Sequence, residues 1–386
     1  MSSSGKKSLR LKKFWDFLAG IVIISLLGGV AINLMSLENS LKIPTKILSP
    51  GEDLNVTLSE AKGDCELTLS EDMTLSVLKN KTVLGHKSMG TVTIDGNNQG
   101  SITAVGEKES VISPVKGAKL VFKNLTINDA TKLAGTEYKD YLYFGGDLVF
   151  ENCTFTNSIR LKESVDASFK DCTFQSVTTR YYSVWMSDGN VNFENCRFEG
   201  YRALKVHEFD KSEDVESVRV KSCVFYNVLE KPGMAIGEVD KETSISVTES
   251  TFDGCLGWDY EGSLVGKDGL YECDTRLNEF TFKESNNKVF NVYYGMKYKI
   301  VTPNKVSSVP NKMFKTDGKY PTRFKSGELL TVSDLNDIWY DDYTDYEFCG
   351  WYLDETLTKA FDGIIYDNMN YNLYAKVLVG YWTANY

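Results

Sequence analysis

The sequence predicts an all-β chain organised around a solenoid of stacked parallel coils, with a transmembrane helix near its N-terminus and a small β-rich module at its C-terminus. Three observations carry this. A hexapeptide recurs through the middle of the chain, residues 17–35 are almost uniformly apolar, and the final segment abandons the repeat for a Tyr-rich pattern.

The hexapeptide Phe150-Glu-Asn-Cys153-Thr-Phe155 returns as Phe169-Lys-Asp-Cys172-Thr-Phe174 and Phe193-Glu-Asn-Cys196-Arg-Phe198. Weaker copies are Val220-Lys-Ser-Cys223-Val-Phe225 and Val247-Thr-Glu-Ser250-Thr-Phe252, and Phe122-Lys-Asn-Leu125-Thr-Ile127 precedes them. Successive copies start 28, 19, 24, 27 and 27 residues apart, a loose period with the variation confined to the gaps, as in a solenoid. Leu148 and Phe150 alternate, as do Cys153 and Phe155, so strand is expected on both sides of the motif. The alternation slips by one residue at Glu151-Asn152. A corner there with one left-handed residue keeps both strands facing inward, and Asn tolerates that conformation best after Gly. Asn124, Asn152, Asp171 and Asn195 hold the corner position. Each coil then reads strand, corner, strand, loop. Coils stacked at ~4.8 Å put Cys153, Cys172, Cys196 and Cys223 in one interior column. Phe150, Phe155, Phe169, Phe174, Phe193, Phe198 and Phe225 form others. The pattern, over roughly residues 60–290, resembles the right-handed parallel β-helix of the pectate-lyase-like superfamily. That resemblance implies an architecture; the fold carries lyases, hydrolases, tailspikes and inert adhesins alike.

From the N-terminus, residues 1–13 are polar and basic, with Lys6, Lys7, Arg10, Lys12 and Lys13. The apolar run that follows, within 14–35, is long enough for a bilayer core of about 30 Å. The basic flank predicts a cytoplasmic tail, a signal anchor and an extracellular bulk. A cleaved signal peptide with secretion is the alternative. Residues 36–60, broken by Pro44 and Ser49-Pro-Gly, read as linker and cap. The solenoid is expected over 61–291. Asp95-Gly-Asn-Asn reads as a turn rather than a calcium loop, which needs an ordered acidic series. Arg202–Val206 and Lys231–Ile236 read as second strands of their coils. Phe280–Asn286 reads as a final coil with Ser285 at the cysteine position.

Residues 292–386 change character. Gly350-Trp-Tyr, Phe361-Asp and Leu373-Tyr-Ala-Lys376, over about 321–376, resemble the Listeria–Bacteroides (internalin-type B) repeat. The resemblance implies a small β-grasp-like surface module. Val377 stands where that family usually has Trp. Trp351 and Tyr374 read as core residues.

Composition narrows function. With 386 residues and 42% hydrophobic content the chain can bury a large core. A net charge of −10 argues against nucleic acid as a partner. Only His86 and His207 are present, which excludes a multi-histidine metal site. Of the eight cysteines, the four in the column read as buried thiols, and Cys255 with Cys273 is the pair to examine for a bridge. Candidate surface groups are Arg160, Arg180, Arg202 and Lys205, with Asp166, Asp188, Asp210, Glu213 and Asp214. No recurring cluster of them is legible at equivalent positions of adjacent coils, so no catalytic, cofactor or metal residue is assigned. Tyr181-Tyr182 beside Trp185 suits binding. The expected function is a membrane-anchored cell-surface adhesion or binding β-helix with an extracellular glycan or protein as partner. The alternative is a polysaccharide lyase or glycoside hydrolase.

Overall fold

The computed structural model describes residues 45–48, 52–69, 71–78, 81–97, 100–106, 110–131, 141–176, 180–208, 212–257, 264–274, 280–302, 305–308, 320–333 and 346–379. The expected tail (1–13) and anchor (14–35) lie outside these. Among the described residues, no helix is long and apolar enough to cross a membrane.

The chain winds through three long sheets, here A, B and C, visiting each once per coil. One coil runs Asp147–Glu151 in A, Thr154–Phe155 in B and Ile159–Leu161 in C. The next repeats the order with Asp166–Lys170, Thr173–Ser176 and Val184–Met186, every strand parallel to its predecessor. Sheet A is 10-stranded and sheets B and C are 9-stranded. The product is an all-β parallel β-helix. Sheet C ends in an antiparallel hairpin of Leu264–Lys267 against Tyr271–Asp274.

The hexapeptide copies stack in register. Phe150 pairs with Phe122 and Phe169, Phe169 with Phe193, and Phe193 with Val220. In sheet B, Phe155, Phe174, Phe198, Phe225 and Phe252 form a second column. Neighbouring rings in these columns lie nearly parallel with centroids 4.5–5.0 Å apart, and the columns meet edge to face, the arrangement that aromatic quadrupoles favour. Cys153, Cys172, Cys196 and Cys223 are buried. Each Sγ donates to the carbonyl two residues back and to one in an earlier coil. Burial pushes the Cys196 thiol well up. None of the eight cysteines forms a disulfide, Cys255 and Cys273 included, and burial pushes Cys255 up to about 12.

The corner between A and B lies at the slip in alternation. Asn124, Asn152, Asp171 and Asn195 have φ of 53, 51, 54 and 54°, and Ser222 and Glu249 continue the series at 54 and 55°. Asn152 Nδ2 donates to Asn124 Oδ1 at 2.9 Å, and Asn124 Nδ2 to Asp95 Oδ1 at 3.1 Å, so side-chain bonds along the corner offset part of the left-handed penalty.

Three expectations need correction. The coil has a third strand, in sheet C, where a loop was expected. Leu204–Val206 and Met234–Ile236 are such third strands and pair with each other. The cysteine position of the last coil is held by Asn287, not Ser285, because Ser285 pairs with Thr248 in sheet A; Asn287 Oδ1 accepts from Ser250 N. Within 36–60, Thr45–Leu48 extends sheet A and Leu54–Glu60 is a helix. The Asp53 side chain caps that helix by accepting from Asn55 N at 2.9 Å. Leu54 and Leu58 are fully buried in the solenoid core, so this helix covers the N-terminal end and protects an otherwise open rung.

The C-terminal segment has its own core, including Tyr298, Ile300, Phe324, Trp351, Leu373 and Val377. Its sheet runs Lys305–Ser308, Tyr294–Thr302, Tyr371–Val379, Tyr346–Tyr352, with the central pair parallel. Trp351 is buried and donates to Ser333 O at 3.0 Å. Tyr374 lies half-buried on the opposite side of its strand from Leu373 and Ala375.

Candidate functional site

Sheet C strands are short and share one pattern: Leu142-Tyr-Phe144, Ile159-Arg-Leu161, Val184-Trp-Met186, Leu204-Lys-Val206 and Met234-Ala-Ile236. The flanking residues point into the core and the middle one points out. Because the strands are in register, the middle residues line up as Tyr143, Arg160, Trp185, Lys205, Ala235 and Glu272. The outer face of sheet C therefore carries a file of cationic and aromatic side chains along the solenoid axis.

The Trp185 ring is its centre. The Arg160 guanidinium lies 3.9 Å from the ring centroid and Lys205 Nζ 4.2 Å, within cation–π range. Trp185 Nε1 donates to His207 O at 2.9 Å, and the two rings stack at 6.0 Å. Tyr141 meets Trp185 edge-on at 5.5 Å and Tyr181 at 5.1 Å. Tyr141 Oη accepts from Tyr182 N at 3.0 Å. Tyr182 takes Arg202 at 5.5 Å and Lys205 at 5.9 Å over its ring.

Two ion pairs frame this patch. Arg160 Nη2 contacts Glu213 Oε1 at 2.5 Å, with both side chains about nine-tenths buried, and Arg160 Nε donates to Ser187 Oγ at 3.2 Å. Lys231 Nζ contacts Glu272 Oε1 at 2.7 Å. Lys205, between them, has no carboxylate partner among the described residues. Partial burial, then Arg160, Arg202 and Lys231, pull its ammonium below the ordinary lysine range. His207 is likewise lowered, chiefly by burial and then by Lys205. Its Nδ1 accepts from Glu238 N at 2.8 Å, which fixes the tautomer with the proton on Nε2. Burial and Glu272 raise the Tyr182 phenol, so it remains a neutral donor. Among the described residues Arg202 Nε is buried with no hydrogen-bond partner, a costly state. A Cβ at Gly237 would lie 2.3 Å from His207 Nδ1, so only glycine lets the imidazole pack there.

Of the surface candidates, Arg160, Arg202, Lys205 and Glu213 meet here with Tyr181, Tyr182 and Trp185; Arg180 stands over Tyr181 at 5.3 Å. The register puts Arg160 and Lys205 at equivalent positions two coils apart with Trp185 between them. Asp166 lies on the outer face of sheet A. Asp188 accepts from Ser164 N at 2.9 Å in a corner, Asp214 lies in the next corner along, and Asp210 is outside the described residues. Tyr141, Tyr143, Lys231, Glu272 and His207 were not singled out from sequence. The repeated apolar–x–apolar triplet was the signal that could have found them. Among the described residues no three His, Cys, Asp or Glu side chains are grouped to hold a metal ion.

The arrangement is a packed cluster in which Tyr141, Tyr143 and Tyr182 are buried and Tyr181, Trp185 and Lys205 are half-buried at its surface. Comparison with protein-family models, with curated proteins and with solved structures found no match to this chain.

Proposed function

We propose that this protein is a cell-surface binding protein whose sheet C face holds an acidic extracellular glycan. The observation that carries the reading is Lys205, which has no carboxylate partner among the described residues, stands between two satisfied ion pairs and rests on the Trp185 ring. A uronate carboxylate or sulfate ester of the glycan meets Lys205 where it rests on Trp185, and sugar hydroxyls meet the polar groups around it. The net charge of −10 confines anion binding to this local cationic patch and disfavours nucleic acid. In this reading residues 14–35 anchor the protein, with the β-helix and the internalin-like module outside. The handedness expected for such a coil is right, because parallel crossovers in one sheet are nearly always right-handed, and the lineage is the pectate-lyase-like one.

A second reading, a polysaccharide lyase, draws on the lowered ammonium of Lys205, which makes it a better base than an ordinary lysine. Glu213 and Glu272 are engaged in ion pairs, which favours binding over catalysis. The test is titration of the full chain with polygalacturonate, alginate and heparin, paired with an assay for unsaturated uronate and new reducing ends. Binding without release supports the proposal. Release of product replaces it with the lyase or hydrolase, and no binding to any acidic glycan refutes both.

A further inference from the structure

A second surface stands apart from sheet C. The outer face of sheet A holds a trough of about 420 Å³ lined by Ser168, Asn192, Ser217, Ser244 and Ser246, together with Arg219 and Lys283 and, at the opposite end from Lys283, Asp166. We infer that this trough is a separate glycan site, taking an extended polyhydroxylated chain whose oxyanions pair with Arg219 and Lys283.

Register supplies the first argument. Ser168, Asn192, Arg219, Ser246 and Lys283 occupy one outward column across five successive coils. Arg219 and Lys283 are two rungs apart, about 10 Å at the spacing of paired strands. Ser246 lies between them. One sugar of an extended chain advances by roughly one rung, so a chain lying along the axis brings acidic groups on alternate sugars to both cations.

Charge pairing supplies the second. The flanking columns carry charges of both signs, and Asp166, which follows Asp147 in the first of them, lies four rungs from Lys283 at the far end of the trough. Lys119 meets Asp147 and Lys123 meets Glu151, each at 3.1 Å. Lys170, Glu194 and Lys221 continue that alternation in the second of these columns. Arg219 and Lys283 pair with no carboxylate among the described residues. Asn190 is already held, donating to Glu216 Oε2 at 2.6 Å and accepting from Ser217 Oγ at 2.5 Å. Asn192, Ser244 and Ser246 keep their donors and acceptors free, again among the described residues.

The chemistry of the floor selects the ligand class. Hydroxyl and amide groups both donate and accept, as sugar hydroxyls do. A peptide lying across the strands finds no free backbone, because the main chain of sheet A is consumed by its own ladder. No aromatic side chain lines the trough, so the stacking that single-stranded nucleic acid needs is missing.

The test uses the full chain carrying Lys205→Met and Trp185→Ala, which disables the sheet C face. It is titrated with sulfated dextran, polygalacturonate and neutral dextran, then again with Arg219→Ser and Lys283→Ser added. Thermal melting of each variant checks folding. The inference expects one charged probe to bind the first variant and to bind the second about tenfold more weakly, the loss of two exposed ion pairs. The probe retained identifies sulfate or carboxylate as the partner. No charged probe binding the first variant, or equal binding to both, overturns it. Binding by wild type that survives the sheet C changes undiminished would refute the proposed sheet C site while leaving this one standing.

Discussion

Replacing Phe193 with Ala tests the packing on which every face of the solenoid depends. Phe193 is fully buried. Its ring stacks on Phe169 at 5.0 Å and meets Phe174 and Phe198 edge-on at 5.9 and 5.5 Å. Its other neighbour in the column is Val220, which cannot swing in to fill the space. A Phe→Ala change in such a site costs about 4 kcal/mol from lost transfer energy and the cavity left behind. Phe193→Asp costs more, because it buries an unpaired charge. The comparison is Cys196→Ser, one corner away. The chain already accepts serine in that column: Ser250 donates to Thr248 O at 2.9 Å and accepts from Cys223 N at 3.1 Å. Cys196→Ser is therefore expected to cost under ~1 kcal/mol. Far-UV circular dichroism gives the melting of each variant. Hydrogen exchange adds the local view, because a solenoid can open coil by coil. Protection should fall first in the coils containing Phe169, Phe193 and Val220. A Phe193→Ala protein that melts like wild type, with unchanged exchange there, would refute the register.

Other outcomes follow from the same geometry. Gly189→Ala should destabilise by ~2 kcal/mol or more, because Gly189 has φ of 73° and a Cβ there would lie 2.0 Å from Val165 O; thermal melting measures it. Asn152→Val should cost ~1–2 kcal/mol through its left-handed corner, whereas Asn152→Gly should lose side-chain bonds such as the one to Asn124 but avoid the left-handed penalty; equal melting temperatures for the two would contradict the corner. The lowered His207 makes stability fall as pH drops below the ordinary histidine value of 6.5 toward the folded-state value, since the unfolded chain takes up the proton first. His207→Gln should flatten that part of the stability profile, and an unchanged slope would sink the assignment.

What was legible in the sequence was set by the length of each pattern. Phe150, Cys153 and Phe155 recur with their spacing intact, so sheets A and B and the corner between them could be read from residues alone. Sheet C could not. Its strands, such as Leu204–Val206, are three residues long, and one apolar–x–apolar triplet is too short to stand out from a loop. The candidate site suffers most from this. Arg160, Trp185 and Lys205 follow their preceding Phe155, Phe174 and Phe198 by unequal distances, because the B-to-C turns differ in length. Only the folded register brings the three together. The Leu54–Glu60 helix escaped for a similar reason: at seven residues its three apolar positions, Leu54, Val56 and Leu58, alternate as those of a strand would.

The central claim is that the sheet C face is an anion-binding glycan surface centred on Lys205. Its most direct test is calorimetric titration of wild-type and Lys205→Met protein with the acidic glycan that wild type binds. Lys205 makes no carboxylate pair among the described residues, so melting should stay within ~0.5 kcal/mol of wild type. Affinity should fall by about 30-fold, the loss of one charge-assisted contact of ~2 kcal/mol. Equal affinity in the two proteins, with both folded, would contradict the account.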